Sequence, residues 1–208
     1  MAAYDRGDYA EAVKWYRKAA EQGDTAAMHN LGFMYTWGQG VPQDYAEAAK
    51  WFRRAADLGA AEAQGSLGLM YAEGKGVPQD YAEAAKWFRK AAEQGVAYAQ
   101  NSLGIMYADG QVVPQDDVQA LMWFSLAAAT GDDGAIKNRE LVLKRMTPEQ
   151  IAEANAIRHT SSRTTSVGVD QSGSIVRPAS ICPSPRSCAR NTVSIRNITR
   201  RLMTLSGW

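Results

Sequence analysis

Between Asp24 and Trp37 the apolar residues Ala27, Leu31, Met34 and Tyr35 fall at i, i+4, i+7 and i+8, the spacing that lines one face of an α-helix. Gly38-Gln39-Gly40-Val41-Pro42 then breaks the pattern, because glycine opens positive φ to the backbone and proline cannot continue a helix. The apolar positions resume as Tyr45, Ala48, Ala49, Trp51, Phe52, Ala55 and Ala56, which predicts a second helix with Gly59 as its C′ residue. Asp44 with Glu47 three residues on is a capping-box pattern, the Asp oxygen taking an orphan N–H and the Glu reaching back, so this helix starts near Tyr45. Residues 24–59 therefore read as one helix–turn–helix unit.

The unit recurs. Trp15, Trp51, Trp87 and Trp123 are each thirty-six residues apart, as are Leu31, Leu67 and Leu103, the glycines that follow them, and Pro42, Pro78 and Pro114. The cap recurs as Asp8/Glu11, Asp80/Glu83 and Asp116/Gln119, and Gly23, Gly95 and Gly131 repeat the helix stop. A fixed period of this length marks stacked units that cannot bury their apolar faces alone. Small residues such as Gly32, Ala48 and Ala55 let helices approach, while Trp51 and Tyr35 fill the space between units. The expected divisions are a half unit at 4–23, full units at 24–59, 60–95 and 96–131, and capping helices at 132–157. In the last of these, Ala135–Met146 reads as a helix with a polar outer face (Lys137, Arg139, Glu140, Lys144, Arg145), and Thr147-Pro148-Glu149-Gln150 starts another. The half unit lacks a full helix before Asp8, which leaves Trp15 and Tyr16 without their packing partner. The expectations are that the true start lies upstream and supplies that helix, or that the chain self-associates through the incomplete unit.

The segments LGFMYTWGQGVPQDYAEAAKWFRRAADLG (31–59), LGLMYAEGKGVPQDYAEAAKWFRKAAEQG (67–95) and LGIMYADGQVVPQDDVQALMWFSLAAATG (103–131) resemble Sel-one-like repeats. That family is a branch of the tetratricopeptide superfamily with a two-residue-longer turn between its helices. The resemblance covers residues 4–131. It implies an all-α fold, an α/α solenoid built as a right-handed superhelix, and adaptor or scaffold roles in protein complexes.

Composition divides the chain. Residues 1–156 carry fifteen Lys and Arg against twenty-one Asp and Glu, whereas residues 157–208 carry eight Arg against one Asp, ten of the thirteen serines, and both cysteines, Cys182 and Cys188. From about residue 158 no apolar period is sustained, and 158–208 reads as a disordered Ser/Arg-rich tail, either a basic arm for nucleic acid or an acidic surface, or a neutral appendage from an altered reading frame. The repeat region has no cysteine, so packing must stabilise it. No apolar run approaches the roughly 20 residues of a membrane-spanning helix. Met1-Ala2-Ala3-Tyr4-Asp5 lacks the basic and apolar regions of a signal peptide. As written the chain reads as cytoplasmic; an upstream start with an export signal would make it periplasmic or secreted.

Catalytic chemistry finds little to rest on. Disulfide-rich members of the resembled family have been linked to penicillin binding and weak β-lactam hydrolysis, but Ser-x-x-Lys, Ser-Asp-Asn and Lys-Thr-Gly are absent here, as are the family's paired cysteines. The Gly38-Gln39-Gly40 and Gly74-Lys75-Gly76 turns complete no phosphate-loop motif and follow helices instead of strands. Two histidines, His29 and His159, cannot build a metal cluster, and no cofactor is implied. The basic rows such as Lys50/Arg53/Arg54 fall late in second helices, where cations suit the helix dipole, and the repeat region is net acidic, which argues against nucleic acid.

Function is therefore expected at positions that vary between units. By the resemblance, the inner faces of the first helices line a concave groove for a protein or peptide partner: His29, Phe33 and Trp37; Glu62, Leu69 and Glu73; Tyr98, Asn101, Ile105 and Asp109. The expected anchors are His29, Phe33, Trp37, Tyr98 and Asn101, with Glu62, Glu73 and Asp109 favouring a basic partner. Trp37 stands where the other units have Glu73 and Asp109, and aromatic residues dominate binding hot spots. The plainer reading of Trp37 is that it covers an exposed apolar edge.

Overall fold

The structure, a computed structural model, describes residues 2–165, with side chains for residues 3–157; Met1 and residues 166–208 lie outside it. Ten helices and no strand occur among the described residues: α1 (Ala2–Asp5), α2 (Tyr9–Glu21), α3 (Thr25–Trp37), α4 (Tyr45–Asp57), α5 (Ala61–Glu73), α6 (Tyr81–Glu93), α7 (Ala97–Asp109), α8 (Asp117–Ala128), α9 (Asp133–Leu143) and α10 (Pro148–Thr165). The described residues fall into two compact units, divided between Ala99 and Gln100.

In the first unit α2 packs on α3, α3 on α4, α4 on α5, and α5 on α6. The Leu-Gly mark explains the pairing inside a repeat. A Cβ added to Gly32 would lie 2.5 Å from the Phe52 ring, and one added to Gly68 would lie 2.8 Å from the Phe88 ring. The missing side chain thus admits the aromatic ring of the second helix, and Phe52, Phe88, Leu31 and Leu67 are fully buried beside alanines with no exposed surface.

The start of each second helix is tied back to the end of the first. The Asp44 amide donates to the Tyr35 carbonyl at 2.9 Å and the Asp80 amide to the Tyr71 carbonyl at 3.0 Å. The aspartate side chains cap as expected, Asp44 accepting from the Glu47 amide at 2.9 Å and Asp80 from the Glu83 amide at 3.0 Å. The second half of the predicted capping box does not form at these sites. The cap amide a glutamate would take is already bonded to the preceding helix, so Glu47 and Glu83 pair instead with Lys50 and Lys86 at 2.8 and 2.5 Å. Neighbouring repeats are joined by Arg17 Nη2 donating to Tyr35 Oη at 2.7 Å and by the equivalent bond from Arg53 to Tyr71. Turns close the contact: Gly40 and Gly76, at φ 71°, lie so near the carbonyls of Tyr9 and Tyr45 that a Cβ would fall 2.3 and 2.0 Å from those oxygens.

The second unit repeats the pairing and then changes. A Cβ at Gly104 would lie 2.6 Å from Phe124, and the Asp116 amide donates to Tyr107 O. α8 packs against both α9 and α10, around Leu121, Phe124, Val142 and Ala154. α9 ends at Leu143, short of the Met146 expected from pattern. Arg145, expected on a solvated outer face, instead forms a bidentate pair with Asp117, Nε–Oδ2 2.8 Å and Nη2–Oδ1 2.5 Å, and also donates to Ala108 O at 3.1 Å. α10 opens with a full capping box, Gln150 N to Thr147 Oγ1 and Thr147 N to Gln150 Oε1. It continues through Thr165, into the segment 158–208 expected to be disordered, and residues 158–165 contain neither Gly nor Pro to stop it. The rest of the Ser/Arg-rich segment, with Cys182 and Cys188, lies outside the described residues.

The turn glycines give a test. Gly59 has φ 90° with nothing within 4 Å of an added Cβ, so Gly59→Ala should cost only backbone strain, about 1 kcal/mol. Gly76→Ala adds a collision with the Tyr45 backbone and should cost at least about 3 kcal/mol. Urea melts of the two variants check the difference.

Candidate functional site

His29, Phe33 and Trp37 lie one turn apart along α3, and Leu69 and Glu73 hold the positions of Phe33 and Trp37 on α5. Phe33 and Leu69 are half-buried, and Trp37 is 53% exposed. Glu62 is exposed at the start of α5. Glu73 is half-buried and paired with Lys75 at 2.8 Å. None of α3, α5 and α7 contains a Lys or Arg, and their acids are Glu62, Glu73 and Asp109.

Several of the expected anchors are engaged within the protein. His29 packs edge-on against Phe33, with centroids 4.6 Å apart, lies 5.5 Å from Phe52, and its Nε2 sits 3.2 Å from Ser66 Oγ on the next first helix. Tyr98 reaches back to α5, where its hydroxyl donates to the Glu62 carbonyl at 3.0 Å and also meets Ser66. That hydroxyl occupies the volume a side chain at position 65 would need: a Cβ on Gly65 would lie 2.2 Å from it. Burial pushes the Tyr98 phenol well above its ordinary range, so it remains a donor; the Ser66 bond opposes the shift and Glu62 adds to it. With the Ser66 proton engaged by Tyr98, His29 Nε2 is left to donate, which selects the Nε2–H tautomer. Burial also holds His29 near pKa 4.

The second unit carries Asn101, Ile105 and Asp109. Asn101 is only 3% exposed and accepts from Asn138 Nδ2 at 3.0 Å, so its amide is spent on the next helix and it is not a free anchor. Ile105 packs on the core of that unit, and Asp109 is exposed, its carboxyl raised by partial burial against the opposing pull of Arg145. Sequence reasoning missed Ser66 and Asn138, and the part Gly65 plays in making room for Tyr98. The signal was present: Gly65 and Tyr98 are unusual among their equivalents in opposite directions of size.

Among the described residues no group of three or more His, Cys, Asp or Glu could hold a metal ion. No described helix is long and apolar enough to cross a membrane.

Sel1 repeats match at residues 3–24, 25–59, 61–96 and 97–132. The chain belongs to the Sel1 repeat family. Its fold class is accordingly the all-α, α/α solenoid of helix–turn–helix repeats. Comparison with curated proteins gives no match. Among solved structures, a protective antigen of uropathogenic Escherichia coli strains, described as displaying an SLR fold, is 36% identical at a TM-score of 0.67. The match covers 80% of this chain and 37% of the antigen, so this chain spans little more than a third of that protein's length. A Sel1 repeat protein from Oxalobacter formigenes is 38% identical at a TM-score of 0.56, covering 60% of this chain and 94% of that one. Sel1 repeats generally mediate protein interactions, and the family is typically a non-enzymatic scaffold.

Two outcomes test the division between core and surface in this Sel1 protein. Trp87 is 7% exposed, and Trp87→Ala should cost about 3–5 kcal/mol, whereas Trp37→Ala should cost under about 0.5 kcal/mol in the same denaturant melts. His29 supplies a pH test. It titrates near 4 when folded and near 6.5 when unfolded, so between those values the unfolded chain binds more protons and stability falls as pH drops. Its contribution should be intact above about pH 6.5, and about 2 kcal/mol should be lost by pH 5. In His29→Asn, which carries the residue of the third repeat, urea midpoints at pH 7 and pH 5 should differ by correspondingly less.

Proposed function

We propose that this Sel1 protein is a non-catalytic scaffold that holds a peptide segment of a partner on the first-helix face of its first unit. Phe33 and Leu69 supply the apolar contact, Trp37 the aromatic anchor, and Glu62 and Glu73 a preference for a partner with basic residues. The observation that carries this reading is the segregation of charge: every Lys and Arg of the helices α2 to α6 lies on a second helix, and the first helices offer only acids. The same face is where residue identity changes from repeat to repeat while the core positions Leu31/Leu67/Leu103 and Met34/Met70/Met106 stay fixed, as expected if packing sets the one and a ligand the other. His29 and Tyr98 take a supporting part here, holding α3, α5 and the start of α7 in register beneath the contact residues. Asn101 takes no part, and Ile105 and Asp109 lie on α7 in the second unit.

The test uses the full chain as bait, beside Trp37→Ala and Leu69→Asp variants shown by thermal melts to fold. A partner captured by the wild type should be reduced at least about tenfold with Trp37→Ala, the loss typical of an aromatic hot spot. Equal capture by the wild type and both variants would remove the first-helix face from the binding surface.

A further inference from the structure

The turn Gly74-Lys75-Gly76 carries a cation at the end of the first helix α5. Its ammonium lies 2.8 Å from the Glu73 carboxylate and 5.6 Å from the centroid of the Tyr45 ring. A carboxylate and an aromatic ring together favour a cation, the one by charge and hydrogen bonding, the other through its negative face. The equivalent turn positions in the other repeats are Gln39 and Gln111, so the fold does not require a lysine here.

The backbone of the turn is held. The Lys75 amide donates to Met70 O at 3.0 Å, Gly74 caps α5 through the same carbonyl, and Gly76 sits against the Tyr45 carbonyl. The Lys75 side chain is half exposed, so vacating the position costs a rotation of that side chain and no rearrangement of the turn.

We propose that Glu73 and Tyr45 form a subsite for a lysine or arginine side chain of the bound partner, and that Lys75 occupies this subsite in the free protein as a built-in competitor. The proposal rests on the reading that the first-helix face takes a peptide, and it names the chemistry of one contact on that face. An incoming cation must displace Lys75 from the same carboxylate, so the subsite favours partners with several basic residues over those with one.

Fluorescence anisotropy with a labelled oligolysine peptide, and with the same peptide acetylated on its lysines as neutral control, tests this on the full chain. Lys75→Gln places in this turn the residue its siblings carry, and a thermal melt confirms that it folds. It should bind oligolysine roughly three- to tenfold more tightly than the wild type and leave the acetylated peptide unchanged, the size expected of an exposed charge pair with a cation–π contribution. In a Glu73→Gln background the gain from Lys75→Gln should vanish. A gain of equal size with and without Glu73, or no gain at all, would overturn the subsite. Trp37→Ala and Leu69→Asp separate this from the groove reading. If they leave oligolysine binding unchanged while the Lys75 and Glu73 effects hold, the subsite stands and the groove reading falls; if they weaken binding while Lys75→Gln does nothing, the reverse follows.

Discussion

Each repeat depends on an aromatic ring entering a space that only glycine leaves open. Phe52, Phe88 and Phe124 lie against Gly32, Gly68 and Gly104, closer than a methyl group could be accommodated. The ring fixes the distance and rotation of one helix against its partner, and alanines around it, such as Ala48 and Ala84, close the remaining volume without exposed surface. Dispersion contacts of this kind are individually small but numerous. They suffice to hold a repeat region that contains no cysteine and no metal-binding cluster among its described residues. Where the helices meet so closely, the turn has little freedom, which is why its backbone bonds from Asp44 to Tyr35 and from Asp80 to Tyr71 recur at nearly the same length.

The periodic elements were legible because their causes are local. Helix faces follow from apolar spacing, and helix starts from an aspartate that caps its own neighbours three residues on. The capping box was legible only in half, because the competing acceptor for the Asp44 amide is a carbonyl nine residues earlier that becomes adjacent only once the turn has formed. At Thr147 no such competitor intervenes and the full box appears. Arg145 shows the same limit. Its spacing suits a solvated face, but the aspartate that binds it lies twenty-eight residues away, on α8.

The candidate site was legible by variation and obscure in role. Positions that differ between repeats are easily found, yet variation marks two things: surfaces that meet a ligand, and contacts that join one repeat to the next. Under the proposed peptide-binding function, Trp37 and Leu69 belong with the first. His29 and Asn101 belong with the second, each sending a polar group to the residue thirty-seven positions on, Ser66 and Asn138. No composition or period separates the two classes, since both fall at repeat-specific positions of the same first helices.

The exchange at Gly65 and Tyr98 bears on how such a chain can change length. Repeats of equal period look interchangeable, and loss of one period would keep every helix in phase. Removal of residues 60–95, however, would bring Tyr98 against His29 in place of Gly65. The phenol would then meet an imidazole where it now finds open space, and the Ser66 hydroxyl that bonds both groups would be gone. The order of the units is thus written into a single small-for-large trade, and this array can be shortened without repacking only where the trade is not cut.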